Sequence, residues 1–238
     1  MMKQIKTILS VCAALVMSAL SLSTPCAFAD DWAGLGRYAE ANKTLVAQPA
    51  DPQRVVLFGN SITDNWPGTR PDFFGDNVLV GRGISGHTSY QFLVRFRQDV
   101  IDLKPLAVVI NAGTNDVAEN KYPFSPEQTL SNIKSMVELA EANGIKVILT
   151  SVLPAARFKW RPSINDAPDK IKRLNALISE YATSKGLPYV DYHAVLVDAS
   201  TGGMRDGLSS DGVHPNASGY AIMEAELLPV IESIRAIR

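Results

Sequence analysis

Short, nearly unbroken apolar segments alternate along the chain with longer segments whose apolar residues recur every three or four positions. The apolar segments have the length of β-strands. Their lack of polar alternation is typical of strands that are covered on both faces. Five strands are predicted, at residues 54–58, 77–80, 106–111, 145–151 and 188–191.

The segments between the predicted strands have the periodicity of amphipathic helices. Ser125 is followed by Pro126 and, three positions on, by Gln128, which is the pattern of a capping box with proline at the first helical position. Apolar residues then fall on one helical face as far as Gly144. Further helices are predicted over residues 32–46, 88–103 and 217–237, and around an apolar stripe of Leu174, Leu177, Ile178 and Tyr181 that ends near Gly186.

This alternation of strand and helix indicates an α/β fold, in which helices cover both faces of a parallel sheet. Residues 30–238 contain no linker-like segment, internal repeat or low-complexity tract. About 200 residues are enough to bury one complete core. We therefore expect a single domain over residues 30–238.

The first 29 residues have the pattern of a secretory signal peptide. Lys3 and Lys6 give a basic start, residues 8–22 are almost entirely apolar, and Ala27 and Ala29 flank Phe28 at a cleavage site of the small-x-small type. The alternative is an uncleaved membrane anchor, but the apolar run is short for a span of about 20 residues. We expect cleavage after Ala29 and export to the periplasm or the medium, with no membrane span in the mature protein.

Cleavage changes both the cysteine content and the charge. Cys12 and Cys26 leave with the peptide, so the mature chain can have no disulfide, cysteine nucleophile or cysteine metal site. Loss of Lys3 and Lys6 takes the formal net charge from −1 to −3. Without a basic excess, nucleic acid is not an expected partner.

Residues of chemical interest gather in four segments, each at a predicted strand end or just before a helix. The segments are 59–61 (GNS), 81–87 (GRGISGH), 111–116 (NAGTND) and 210–216 (SDGVHPN). Open α/β sheets place their chemistry at the carboxyl ends of the strands. The four segments are therefore expected to meet at one edge of the sheet.

Serine attack on a carbonyl needs a base, a group that orients the base, and donors for the oxyanion. Ser61 is the candidate nucleophile. Asp211 and His214 are three residues apart, so the carboxylate can reach one side of the imidazole and leave the other nitrogen for the serine. His193 is the rival base, and His87 is more suited to shaping the site.

The oxyanion requires preorganised N–H groups. Gly86 suits this role because a glycine lets its backbone N–H approach a ligand closely. The side-chain amide of Asn115 and the N–H of Ser61 are the other two candidates. A site of this kind needs neither a metal nor another cofactor.

Together the four segments resemble the four conserved blocks of the SGNH (GDSL-type) hydrolase family, in the family's order. The resemblance implies a flavodoxin-like three-layer α/β/α sandwich with strand order 2-1-3-4-5. It also implies a triad of Ser61, Asp211 and His214, an oxyanion hole of Ser61, Gly86 and Asn115, and no metal. One position departs from the family pattern, because Asn60 stands where the family usually has Asp.

Other motifs carry less weight. Gly81, Gly83 and Gly86 match the dinucleotide pattern G-x-G-x-x-G, but the next predicted strand lacks the acidic residue that binds ribose. Asp191 and His193 could mimic a metal pair but suit a strand-end turn better. Arg95 and Arg97 fit either a polar helix rim or a structural clamp, and the sequence does not decide between them.

Three aromatic residues are candidates for substrate contact. Phe158 and Trp160 lie in a loop after the fourth strand and could form a wall for a sugar ring or an acyl chain, or could pack the loop onto the body. Trp66 has the same ambiguity.

No long apolar lid is evident, so an esterase for short acyl groups, chiefly acetyl groups on sugars or glycans, is the favoured hypothesis. The alternatives are a broad thioesterase or lysophospholipase, and a binding domain with an inactive site.

Overall fold

The sheet has five parallel strands in the predicted order. The computed structural model describes residues 31–237, so the predicted signal peptide and its cleavage site lie outside the described residues. The strands are β1 (Val55–Gly59), β2 (Leu79–Gly83), β3 (Ala107–Asn111), β4 (Lys146–Thr150) and β5 (Tyr189–Val190). Their order is β2-β1-β3-β4-β5, which confirms the predicted topology and places β1 beside β3 at the switch point.

Among the described residues, five helices lie where the sequence predicted them, with differences at their ends, and four further helices were not predicted. They are α1 (Ala39–Val46), α2 (Ser61–Thr69), α3 (Pro71–Asp76), α4 (Ser89–Asp99), α5 (Thr114–Val117), α6 (Pro126–Ala142), α7 (Ala167–Lys185), α8 (Tyr192–Leu196) and α9 (Ala217–Ala236). The predicted helix 88–103 is α4 followed by a 3-10 turn at Ile101–Leu103. The predicted helix 32–46 is wrong in its first part, since regular helix begins only at Ala39. Within the described ranges, no helix is long and apolar enough to cross a membrane.

The two faces of the sheet form two separate cores. Val56 and Phe58 of β1 pack into a cluster with apolar residues of α4, α6 and α7. Val55 and Leu57 point the other way, into a cluster with α2, α3, α8 and α9. Side chains alternate between the faces of a strand, so a strand buried on both faces is apolar throughout. The arrangement is the predicted three-layer sandwich.

Strand β2 lies further along the chain than predicted. Val78 has a left-handed backbone, with φ of 52°, so it belongs to the turn before the strand. The strand instead runs through Gly81 to Gly83. A Cβ on Gly83 would lie 2.1 Å from the backbone nitrogen of Asp64, so this glycine is required by the close packing of α2 on β2.

Candidate active site

The four segments predicted to meet lie around one cleft at the carboxyl ends of the central strands. The cleft has a volume of about 400 Å³. Its lining consists of Ser61, Asn65, Ser85, Gly86, Asn115, Asn120, Trp160 and His214. All but Trp160 are small or polar, so the cleft presents hydrogen-bonding groups and one aromatic surface.

Ser61 is the first residue of α2, which begins two residues after β1 ends at Gly59. Asn60 caps this helix, because its Oδ1 accepts a hydrogen bond of 3.0 Å from the N–H of Ile62. An asparagine therefore serves as a cap in the position where the family usually has Asp. Ser61 thus lies at the positive end of a helix dipole, which favours negative charge beside it.

A continuous chain of hydrogen bonds runs from Ser61 through His214 to Asp211. The Ser61 Oγ lies 2.8 Å from His214 Nε2, and His214 Nδ1 lies 2.6 Å from Asp211 Oδ2. The carboxylate thus fixes the proton on Nδ1 and leaves Nε2 to accept a proton from the serine. This is the geometry of a serine nucleophile with its base and orienting acid.

The turn before α9 holds Asp211 in its charged form. Asp211 Oδ1 accepts hydrogen bonds from the backbone N–H groups of Val213 and His214, at 2.9 and 2.8 Å, and from the Ser209 hydroxyl. Partial burial acts to raise the pKa of Asp211. The hydrogen bonds from the His214 side chain and from the backbone outweigh it and hold the pKa well below its usual range.

Two further residues of the cleft, in addition to Ser61, can supply N–H groups to an oxyanion. Gly86 has a left-handed backbone, with φ of 79°, and a Cβ there would meet nothing within 4 Å. Asn115 is buried and lines the cleft, and its Nδ2 donates one hydrogen bond of 2.9 Å to the carbonyl of His87. An amide nitrogen carries two hydrogens, so the second remains for a ligand.

The loop that carries Gly86 is attached to the nucleophile helix. Asp64, one turn after Ser61 in α2, accepts hydrogen bonds from the backbone N–H and the hydroxyl of Ser85, at 3.2 and 2.9 Å. Arg37 donates to the other oxygen of the same carboxylate at 3.2 Å. The serine and the Gly86 N–H are therefore positioned by one shared contact, which the sequence analysis did not identify.

The three aromatic candidates lie in different places. Trp160 is 41% exposed and lines the cleft, with its ring centroid 6.2 Å from that of His214. Phe158 is fully buried and packs against Trp160, so it supports the wall without contributing an exposed surface. Trp66 does not line the cleft, because it is buried against Tyr220 and donates from Nε1 to Glu224.

The rival histidine does not line the cleft. His193 lies in α8 after β5, and its backbone N–H donates to the Ser151 hydroxyl. Burial lowers the pKa of its imidazole, against the opposing charge of Asp191. The Asp191 side chain caps α8 by accepting from the N–H of Ala194. Among residues 31–237, no group of three or more His, Cys, Asp or Glu residues is placed to hold a metal ion.

Arg95 behaves as a clamp, which resolves the choice left open by the sequence. Its guanidinium is fully buried, pairs with Asp99 at 2.9 Å, and donates to the carbonyls of Gly59 and Arg82 at 2.7 and 3.0 Å. These carbonyls belong to the ends of β1 and β2, next to the nucleophile. Arg97 is instead a largely exposed residue of the same helix.

Comparison with known proteins agrees with this geometry. The model of the GDSL-like Lipase/Acylhydrolase family matches residues 57–222. A crystal structure of a GDSL-like lipase from Bacteroides thetaiotaomicron is 52% identical, with a TM-score of 0.81, over 84% of this chain and 98% of that one.

Two curated relatives are more distant. An isoamyl acetate-hydrolyzing esterase 1 homolog from Homo sapiens is 28% identical over 75% of this chain and 81% of its own length. An acetylxylan esterase from Xylanibacter ruminicola is 26% identical over 78% of this chain, but the match spans only 44% of that longer protein. The chain belongs to the GDSL-like lipase/acylhydrolase family of SGNH hydrolases, and it is a carboxylic ester hydrolase.

Proposed function

We propose that the protein is a serine esterase that removes short acyl groups, chiefly acetyl, from hydroxyl groups of carbohydrates. The observation that carries the proposal is the chain of hydrogen bonds from Asp211 through His214 to Ser61, which opens into a small cleft beside the exposed ring of Trp160. The first part of this arrangement supports the reaction, and the second supports the kind of ester proposed.

In the acylation step, Ser61 Oγ attacks the ester carbonyl carbon and its proton passes to His214 Nε2. The developing oxyanion accepts hydrogen bonds from the N–H groups of Ser61 and Gly86 and from the Asn115 amide. Asp211 stabilises the imidazolium that forms. The tetrahedral intermediate then collapses, the leaving alcohol takes the proton from His214, and an acyl-enzyme remains.

Deacylation repeats the same steps with water. His214 Nε2 accepts a proton from water as the water oxygen attacks the acyl carbon, and the same donors hold the second oxyanion. Collapse breaks the bond to Ser61 Oγ, the proton on His214 returns to the serine, and the carboxylic acid leaves. No residue changes its net protonation over the cycle.

The lining of the cleft favours a short acyl group. Burial of each CH₂ contributes about 0.8 kcal/mol when the methylene meets an apolar surface. Of the lining residues, only Trp160 offers a large apolar surface, while Asn65, Ser85 and Asn120 offer polar groups. An acetyl group has few carbon atoms to bury, so it loses little binding free energy in such a cleft. An octanoyl chain finds little apolar surface there and gains little binding free energy from its extra methylenes.

The same cleft lining supports a sugar as the alcohol part of the ester. An aromatic ring next to the base suits the C–H face of a sugar ring, and polar side chains around it suit hydroxyl groups. The names of the two curated relatives, an acetylxylan esterase and an isoamyl acetate-hydrolyzing esterase homolog, support acetate esters as the substrate class. The pattern of residues 1–29 supports export, where polysaccharides are accessible.

The reaction is tested with p-nitrophenyl acetate and a fluorophosphonate that reacts with activated serines. We expect the wild type to turn over and to gain one label, located on Ser61 by peptide mass, and Ser61→Ala to do neither. Ser85→Ala is the matched control, because it removes the other serine hydroxyl of the cleft and should still be labelled. Equal turnover by the wild type and Ser61→Ala would exclude Ser61 as the nucleophile.

The substrate class needs two separate measurements. In a series of p-nitrophenyl esters, kcat/KM should be highest for acetate and should fall by octanoate. A preference for octanoate or longer chains would instead support a thioesterase or lysophospholipase. Faster release of acetate from acetylated xylo-oligosaccharides than from ethyl acetate would support a carbohydrate as the alcohol part of the substrate.

Export is tested separately. The N-terminal sequence of the protein recovered outside the cytoplasm shows whether cleavage occurs after Ala29.

A further inference from the structure

Asn120 links the cleft wall to the candidate oxyanion donor. Its Nδ2 donates to Asn115 Oδ1 at 2.9 Å, and its Oδ1 accepts from the indole Nε1 of Trp160 at the same distance. Asn115 Nδ2 in turn donates to the carbonyl of His87. Three side chains thus form one line of hydrogen bonds, from the exposed wall of the cleft to the backbone of the segment that carries Gly86.

The direction of this line is determined at both of its ends. An indole N–H can only donate, so the Asn120 oxygen must face Trp160. The Asn120 nitrogen then faces Asn115 and requires the oxygen of that amide. At the other end, the His87 carbonyl can only accept, which requires the nitrogen of Asn115. Both ends therefore give the same orientation, with the second N–H of Asn115 left for the oxyanion.

The backbone around Asn120 is also held in place. Its N–H donates to the Asn115 carbonyl at 3.1 Å, and its own carbonyl accepts from Arg161 at 3.2 Å. The preceding residue, Glu119, has a left-handed backbone with φ of 54° and pairs with Lys170 at 3.0 Å. A strained non-glycine residue at this point is maintained only because the neighbouring contacts fix it.

We propose that Asn120 is a positioning residue, and that the indole N–H of Trp160, acting through Asn120, holds the Asn115 amide with its nitrogen towards the oxyanion. Without the indole donor, only the His87 carbonyl orients the Asn115 amide, and Asn120 loses the contact that fixes which of its ends faces Asn115. The second N–H of Asn115 is then held less firmly where the oxyanion develops. Trp160 would thereby have a role in transition-state binding that is separate from its contact with substrate.

This inference depends on the proposed serine mechanism, and the experiment separates the two. The wild type, Asn120→Ala, Trp160→Phe and the double variant are compared on p-nitrophenyl acetate, together with the rate of fluorophosphonate labelling. Trp160→Phe retains an aromatic ring and removes only the N–H donor. Lys159→Ala is the control, because this exposed neighbour lies in the same loop and outside the cleft lining.

We expect Asn120→Ala to lower kcat about tenfold with KM within twofold, less than the 10²–10³ typical of losing an oxyanion donor outright. Trp160→Phe should lower kcat by a similar factor. The double variant should be no slower than Asn120→Ala alone, because both changes break the same line of hydrogen bonds. Thermal unfolding midpoints identify any variant whose loss comes from misfolding.

Each of the following results would overturn the inference. Asn120→Ala with wild-type kcat would show that Asn115 needs no orientation from this side. Multiplicative effects in the double variant, or a change confined to KM, would make Trp160 a substrate contact only. If Ser61→Ala retains activity, or the wild type neither turns over nor is labelled, the serine mechanism fails and this inference fails with it.

Discussion

The Nε2 atom of His214 lies 2.8 Å from the Oγ of Ser61, although the two residues are 153 positions apart in the chain. The contact exists because β1 ends at the cleft, where α2 begins, and because the turn before α9 returns to the same edge of the sheet. The serine lies at a helix start and the histidine just before one, so each side chain is fixed by regular structure on one side.

Replacement of the base tests this contact directly. His214→Ala should lower kcat by a factor on the order of 10⁴ or more, because Ser61 then has no group to take its proton. The matched variant is His193→Ala, which removes the rival histidine outside the cleft and should keep kcat within a few fold. Initial rates on p-nitrophenyl acetate compare the two. Equal losses in both variants would contradict the assignment of His214.

The depressed pKa of Asp211 makes a prediction about stability and pH. A carboxyl group whose pKa is lower in the folded state stabilises the fold at pH values above its ordinary pKa, here 3.8. That stabilisation is lost as the pH falls through the folded-state pKa. Asp211→Asn should therefore unfold more easily than wild type at pH 7. The difference should narrow below about pH 3.8. Thermal unfolding of both proteins at pH 3, 5 and 7 measures it, and a difference that grows in acid would refute the sign.

The close approach of α2 to β2 predicts a severe effect at Gly83. An added Cβ would lie 2.1 Å from the Asp64 nitrogen and 2.6 Å from the Asn60 carbonyl, which are backbone atoms that cannot move alone. Gly83→Ala should cost about 3 kcal/mol or more in unfolding free energy, at the upper end for overpacking. Gly75→Ala in α3 meets nothing within 4 Å and should be neutral or slightly stabilising. Urea unfolding of both variants tests the contrast.

Asn60 allows a separate test of the departure from the family pattern. Its Oδ1 caps α2, while its Nδ2 is buried and has no hydrogen-bond partner among the described residues. Asn60→Ala should cost about 1 kcal/mol, the typical loss of a helix cap. Asn60→Asp keeps the cap and should unfold closer to wild type than Asn60→Ala does. If the two variants are equally destabilised, the cap contributes nothing and the buried amide matters for another reason.

Much of the fold and site could be predicted because the relevant patterns are local. Continuous apolar runs identified all five strands, and Ser61, Asn115 and His214 follow or precede regular elements in ways that neighbouring residues reveal. The shift of β2 could not be predicted in the same way. It depends on the left-handed backbone of Val78, and nothing in the identity of a valine indicates that conformation.

The distinction between Trp66 and Trp160 depends on contacts far away in sequence. Trp66 is buried against Tyr192 and Tyr220, far along the chain, and Glu224, 158 residues later, accepts its indole N–H. Trp160 instead donates to Asn120 at the cleft. Both segments look alike as polar stretches after a strand. Asn120 was missed for a similar reason, since its importance comes from what lies on either side of it in space.

Arg95 and Arg97 give the last prediction, because two arginines of one helix have opposite environments. Arg95 is fully buried with its partner Asp99. The Arg97 side chain is 65% exposed, and its partner carboxylate, that of Asp102, lies at the longer distance of 4.0 Å. Arg95→Met leaves the buried Asp99 without its cation and removes the donor to the Gly59 carbonyl. Breaking a buried ion pair in this way costs about 3–5 kcal/mol.

Arg97→Met is the matched control and should change the unfolding free energy by about 0.5 kcal/mol or less, as for an exposed pair. Both variants are measured by urea unfolding, with kcat recorded under native conditions. In Arg95→Met, kcat should also fall, because the Gly59 carbonyl, two residues before Ser61, loses one of its two donors and keeps only the backbone N–H of Ile84. Retention of full stability and kcat in Arg95→Met would mean that the strand ends are fixed by the sheet alone, and that the buried arginine has no part in positioning the nucleophile.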